Sequence, residues 1–216
     1  WGALRQPGPL VELWRVGAQL EPARVWSTRQ LLALAYVKEH GFLSREGAAV
    51  AAAEALQHAL DLGGESSEAL YALGEMSAAE LQFAAARRAY ERIKELEPLS
   101  WRPYKALGAL YLKMGENAAA LAEMERAVEL GGQTSGLYNN LGIANVRLGQ
   151  LQRGKLFLRR VVEMAPERVD SWYNLGMALD LGGQRAAAVE ALQHALMLDP
   201  EHRGARDLLQ VVGTVE

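Results

Sequence analysis

Leu70, Leu73, Gly74 and Ser77 stand at the i, i+3, i+4, i+7 spacing of one face of a helix. That face returns as Tyr104, Leu107, Gly108 and Tyr111, and again as Trp172, Leu175, Gly176 and Leu179. A Leu-Gly pair marks its phase at Leu73-Gly74, Leu107-Gly108, Leu141-Gly142 and Leu175-Gly176, with a step of 34 residues. A large side chain precedes each Leu by three places: Leu70, Tyr104, Tyr138, Trp172. A small one follows each Gly by twelve: Ala86, Ala120, Gly154, Ala188. Seven further on stand Ile93, Ala127, Val161 and Ala195, and the unit closes at Pro98, Gly132, Pro166 and Pro200. The segment EALQHAL occurs at 54–60 and again at 190–196, four periods apart, so a further copy lies upstream in phase.

Each unit reads as a hairpin of two helices. A glycine inside a helix costs about 1 kcal/mol relative to alanine. Glycines kept at one phase therefore predict a packing need: the backbone of a second helix must come close. Gly115, Gly149 and Gly183 fall where the first helix ends and turns. The closing prolines stop the second helix, because proline cannot extend it and restricts the residue before it. One hairpin of this size cannot bury its apolar face alone, so neighbours must stack to supply the core.

The period, the Trp/Tyr, Leu-Gly, Ala, Ala and Pro positions together resemble the tetratricopeptide repeat family. The resemblance covers four units, 67–100, 101–134, 135–168 and 169–202, and it implies an all-α fold, a right-handed superhelical α-α solenoid of helical hairpins. Gly132 departs from the usual Pro, and Gly154 and Ile93 from the usual Ala; each is small or apolar enough to leave the fold expectation standing. Residues 25–66 read as a divergent unit. Its second helix is placed near 48–62 and its first near 27–39, with Ser27 or Thr28 as N-cap. The stripe Leu10, Leu13, Trp14, Gly17 and Leu20 makes 1–24 a helix or half-repeat cap. Ala205, Leu208, Leu209 and Val212 make 203–216 a short amphipathic capping helix. The chain starts at Trp1 and not Met, which reads as a trimmed piece of a longer protein.

Composition narrows the chemistry. The 216 residues carry a net charge of −3, which gives no global attraction to nucleic acid. There is no cysteine, so disulfides, thiolate metal sites and cysteine nucleophiles are excluded. No apolar run approaches the length of a membrane span. The histidines His40, His58, His194 and His202 show no ligand spacing, and no metal is expected. The glycine pairs at 63–64, 131–132 and 182–183 lack the Lys-Ser/Thr of a phosphate loop, so no cofactor is expected either. Catalytic residues are expected to be none. The expected role is a non-catalytic scaffold or adaptor for a protein or peptide segment. The alternatives are the recruiting region of a larger enzyme, such as a glycosyltransferase, or a self-associating homodimer. Ala-rich helices point to a bacterial source. The cytoplasm is the expected compartment, with the periplasm or an anchor outside this chain as alternative.

By the resemblance, the first helix of each hairpin lines an inner groove. Counting from each Leu-Gly pair, its middle is basic, with Arg102, Lys105, Lys113 and Arg147. Acids stand at the ends: Glu68 and Glu75, then Asp170 and Asp180. Leu112, Ile143, Val146 and Met177 are either apolar anchors for a guest or packing residues between repeats. Asn139 and Tyr173 complete the face. Asn140 and Asn174 occupy the place where family members that grip extended peptides contact the ligand main chain. An amide can donate to and accept from a peptide at once. The family's carboxylate clamp for chaperone C-termini is matched at Lys105 and Asn140 only, since Ala109, Asp170 and Asn174 stand where it needs other residues. The expected guest is therefore a segment with acidic and apolar side chains.

Overall fold

The computed structural model describes residues 67–213; the expectations for 1–24 and 25–66 lie outside them. The chain divides into two units, 1–98 and 99–216. The first contributes α1 (Ser67–Ala79) and α2 (Phe83–Leu96). The second holds α3 (Trp101–Met114), α4 (Asn117–Glu129), α5 (Ser135–Arg147), α6 (Leu151–Met164), α7 (Val169–Leu181), α8 (Arg185–Leu198) and α9 (Arg203–Gly213). Among the described residues there are no strands, and the fold is the all-α solenoid of helical hairpins that the period predicts.

The Leu-Gly glycines show why they recur. A Cβ placed on Gly74 would lie 2.4 Å from the Tyr90 ring, on Gly108 2.5 Å from Met124, on Gly142 2.6 Å from Leu158, and on Gly176 2.8 Å from Leu192. Each partner stands sixteen residues later, on the second helix of the same hairpin. The expectation of a close backbone is only part of the reason. A large side chain makes the nearest approach, and a backbone carbonyl follows it: that of Ala120, Gly154 or Ala188 would lie 3.2, 3.3 or 3.4 Å from the added carbon. The small residue twelve places on lets that carbonyl in. Burial under Gly74, with the Glu75 carboxylate nearby, pushes the Tyr90 phenol up to about 12, so it packs as a neutral ring.

The turn inside each hairpin is built one way. The amide of Gln82 donates to Ser77 O at 2.8 Å, Glu116 to Tyr111 O at 2.9 Å, Gln150 to Asn145 O at 2.8 Å and Gln184 to Leu179 O at 2.9 Å. This is a Schellman cap, which needs a left-handed residue just before the donor. Gly115, Gly149 and Gly183 supply it with φ of 79°, 76° and 71°. In the α1–α2 hairpin Leu81 holds the same place at φ 61°, a conformation that costs a residue with a Cβ roughly 1–2 kcal/mol. Leu81 is 70 % exposed, so its side chain contributes little burial. Leu81→Gly is expected to stabilise the protein by about 1 kcal/mol in urea denaturation. Leu81→Ala, which keeps the strain, should give no such gain. A midpoint no higher in the glycine variant than in the alanine variant would count against this account of the turn.

Gly132 also has a reason of its own. Where proline closes the other hairpins, α4 ends in a second left-handed cap, with Gly131 at φ 87° and the Gly132 amide on Ala127 O at 2.9 Å. A Cβ on Gly132 would meet that carbonyl at 2.8 Å and the Trp101 ring at 3.2 Å.

Within residues 99–216, each hairpin packs on the first helix of the next. Leu112, Leu121, Met124 and Ala127 meet Leu137 and Leu141 of α5. Val146, Leu158 and Val162 meet Leu175, Ala178 and Leu179 of α7. Helix α9 covers the last hairpin, placing Ala205 against Leu192 and Ala195. Full burial of one such Leu contributes about 2 kcal/mol relative to exposure. The first helices α3, α5 and α7 touch in succession. The second helices reach the next hairpin through its first helix. Spacing the first helices more tightly than the second curves this unit, with α3, α5 and α7 on its inner side.

Candidate binding face

The residues singled out by sequence, Arg102, Lys105, Lys113, Asn139, Asn140, Ile143, Arg147, Tyr173, Asn174 and Met177, all lie on α3, α5 and α7 of this one unit. The acids Glu68 and Glu75 belong to the other unit. Helix periodicity places each side chain. On α3, Arg102 and Lys105 are three residues apart, and Lys113 follows two turns later.

The Lys105 amine sits 5.9 Å from the Trp101 ring centroid. It also lies over Gly136 of α5, 3.8 Å from where a Cβ would stand. Arg147, at the end of α5, donates from Nη1 to Leu112 O at 3.1 Å. That carbonyl belongs to the last turn of α3, whose partial negative charge favours a cation. Arg147 therefore ties two repeats together as well as presenting charge. Asn174 Nδ2 donates to Asn139 Oδ1 at 3.1 Å across α7 and α5. The pair leaves the Asn139 amino group and the Asn174 carbonyl available. Asn140 is half-buried, and its side chain has no hydrogen bond among the described residues.

The apolar set divides. Leu112 and Val146 are 9 % and 8 % exposed and belong to the inter-repeat core, so the packing alternative holds for them. Ile143 is half-buried against the Leu112–Leu141 cluster, and Met177 is half-buried. Tyr173 packs beside His202, ring centroids 5.1 Å apart, and a Cβ on Gly204 would lie 3.1 Å from its ring.

Among the described residues, some cations of the stack are paired with carboxylates and others are not, Lys155, Arg159 and Arg185 of the second helices being among the latter. On the second helices, Arg126 meets Glu129 at 2.7 Å, Arg153 meets Glu125 at 2.8 Å and Arg160 meets Glu163 at 3.3 Å. On the first helices, Arg102, Lys105, Lys113 and Arg147 have no carboxylate partner among the described residues. On the outer side, Trp172, Leu179, Glu190, His194 and Met197 line a shallow hollow of about 400 Å³ between α6, α7 and α8. No described helix is long and apolar enough to cross a membrane. No group of His, Asp or Glu among the described residues could hold a metal.

Two residues carry structural roles that sequence reasoning did not assign to them. Lys155 is buried, and its amine donates to Gln184 Oε1 at 2.5 Å. One signal for it was available: 34 places earlier stands the apolar Leu121. His202 caps α9, accepting the Ala205 amide on Nδ1 at 3.0 Å. Its place just ahead of an amphipathic stripe is the corresponding signal.

Family models described as tetratricopeptide repeat match residues 103–130, 135–168 and 169–202. Among curated proteins no sequence matches. Solved structures resemble the chain in fold. A MamA protein fragment from Desulfovibrio magneticus RS-1 is 20 % identical, with TM-score 0.65, over 92 % of this chain and 99 % of its own. YrrB, described as a TPR protein with an unusual peptide-binding site, is 21 % identical, with TM-score 0.68, over 93 % and 99 %. PilF of Pseudomonas aeruginosa is 16 % identical, with TM-score 0.72, over 86 % and 90 %. Likeness at this identity establishes the fold, which is generally that of protein-interaction scaffolds. The three units matched between 103 and 202 are tetratricopeptide repeats.

Proposed function

We propose that the chain is a non-catalytic scaffold that binds an extended or helical partner segment along α3, α5 and α7. The observation carrying this reading is the row of cations on the first helices. Arg102, Lys105, Lys113 and Arg147 stand there with no carboxylate partner among the described residues, whereas Arg126, Arg153 and Arg160 on the second helices each have one. A row of unpaired cations favours an acidic guest and speeds its approach. Ile143 and Met177 offer the apolar contact that supplies affinity, and Asn139, Asn140 and Asn174 offer amides to a main chain. YrrB, of the same fold, is described as having a peptide-binding site, which is consistent with this use.

The test uses a photo-crosslinking residue at Met177, with one at Arg160 on the outer side as control, in cells of the native host. Adducts are expected at Met177 and not at Arg160. Lys105→Glu with Lys113→Glu should lower the affinity of the captured segment roughly tenfold, mainly through slower association. Arg147 is left intact, because its reversal would also break the bond to Leu112 O. Equal adducts at both positions, or an affinity indifferent to the two reversals, would remove this reading.

A further inference from the structure

We infer that His202 is a proton-operated cap that sets how firmly α9 closes the end of the repeat stack. Helix α9 begins at Arg203, so His202 is its N-cap residue and Ala205 its third position. The Ala205 amide donates to His202 Nδ1 at 3.0 Å, the bond that Ser, Thr, Asp or Asn makes at this place in other helices. Those side chains accept at any ordinary pH. An imidazole nitrogen accepts only while it carries no proton. The present bond thus requires the tautomer with its proton on Nε2, and that nitrogen faces Asp170 Oδ1 at 3.5 Å.

Protonation of Nδ1 replaces an acceptor with a donor opposite a backbone N–H. It also places a positive charge at the positive end of the helix. The compensating gain is an ion pair with Asp170, whose side chain is 73 % exposed, and exposed pairs contribute little. The other charged groups nearby are already engaged. Arg206 holds Glu201 at 3.1 Å and Pro200 O at 2.7 Å, Arg203 lies 3.8 Å from Asp207, and Asp199 Oδ1 accepts the Glu201 amide at 3.0 Å. Tyr173 of α7 meets the imidazole through its ring. Acid therefore loosens the start of α9.

The consequence reaches the inner face. His202 lies against Tyr173 and Asp170 of α7, and its side chain is only 20 % exposed. Gly204 packs on Tyr173 from the first turn of α9. When that turn frays, the Tyr173 end of the face loses its backing.

The inference is tested by amide hydrogen exchange of the whole chain at pH 7.5 and pH 5.0, corrected for the intrinsic pH dependence of exchange. Amides of α9 are read against those of α5, which serve as internal reference. Protection of α9 is expected to fall about fivefold in acid while that of α5 holds. His202→Asn keeps a capping acceptor that does not titrate, and should abolish the fall. Asp170→Asn removes the compensating carboxylate, and should deepen it. A wild-type α9 whose protection is the same at both pH values overturns the inference. So does a fall of equal size in His202→Asn.

Discussion

Gly176→Ala should destabilise the protein by about 1–2 kcal/mol, yet stabilise it by up to about 1 kcal/mol once Leu192 has become alanine. The first half follows from the space available. A methyl on Gly176 would lie 2.8 Å from Leu192 Cγ and 2.9 Å from Cδ2. Leu192 is fully buried between the Ala205 and Ala195 contacts and has nowhere to move. Overpacking of this kind costs about 1–3 kcal/mol, against which alanine's better helix propensity returns about 1 kcal/mol. Leu192→Ala alone should cost about 3 kcal/mol through lost burial and the cavity left behind. In that background the nearest atom to the new methyl outside residue 192 is Ala188 O at 3.4 Å, an ordinary contact. The clash is gone, the helix gain remains, and the methyl fills part of the cavity. The double variant should therefore be more stable than Leu192→Ala alone, a coupling that urea titrations of the four proteins would measure. Strict additivity would show that the 34-residue glycine is not kept free for the side chain sixteen places on.

The solenoid was legible because its determinants are local and repeated. The Leu-Gly pair and the small residue twelve places on recur four times and the turn glycine three times, each acting within one hairpin, so the copies reinforce a single reading. Even there, one period's departure carried information that the pattern alone did not release. Leu81 looks like an ordinary apolar residue until its φ of 61° shows it doing a glycine's task. The face was legible to the level of which helices line it. It was not legible which side chains are already engaged. Arg147 reaches 35 residues back to Leu112 O, and Asn174 reaches the same distance to Asn139. Such bonds depend on how one hairpin is set against the next, a geometry the repeat period does not encode. The same limit hid Leu112 and Val146, whose helical phase faces inward while neighbouring repeats cover them.

Lys155 carries the second large effect. It is 4 % exposed on α6, in a place where the preceding hairpin has Leu121. Its amine donates to Gln184 Oε1 at 2.5 Å and would lie 3.0 Å from a Cβ on Gly182, beside the last turn of α7. Two features could make this lysine matter: the four-carbon stem that fills the site, and the charge at the negative end of a helix. Their expected sizes differ. The helix-end charge and one hydrogen bond contribute about 1 kcal/mol each before the desolvation of the ammonium is subtracted, and that subtraction is of similar or greater size. Removing the stem costs roughly 2–5 kcal/mol, the range for truncating a long buried side chain to alanine. Lys155→Ala should therefore lower stability by about 3 kcal/mol, while Lys155→Met, which keeps the length and drops the charge, should stay within about 1 kcal/mol of wild type. Gln184 is exposed and can turn its carbonyl to water, so the methionine variant leaves no buried acceptor unmet. Chemical denaturation of the three proteins decides between the two. If methionine proves as harmful as alanine, the ammonium and not the stem holds α6 to the end of α7, and the site is an electrostatic clasp between repeats.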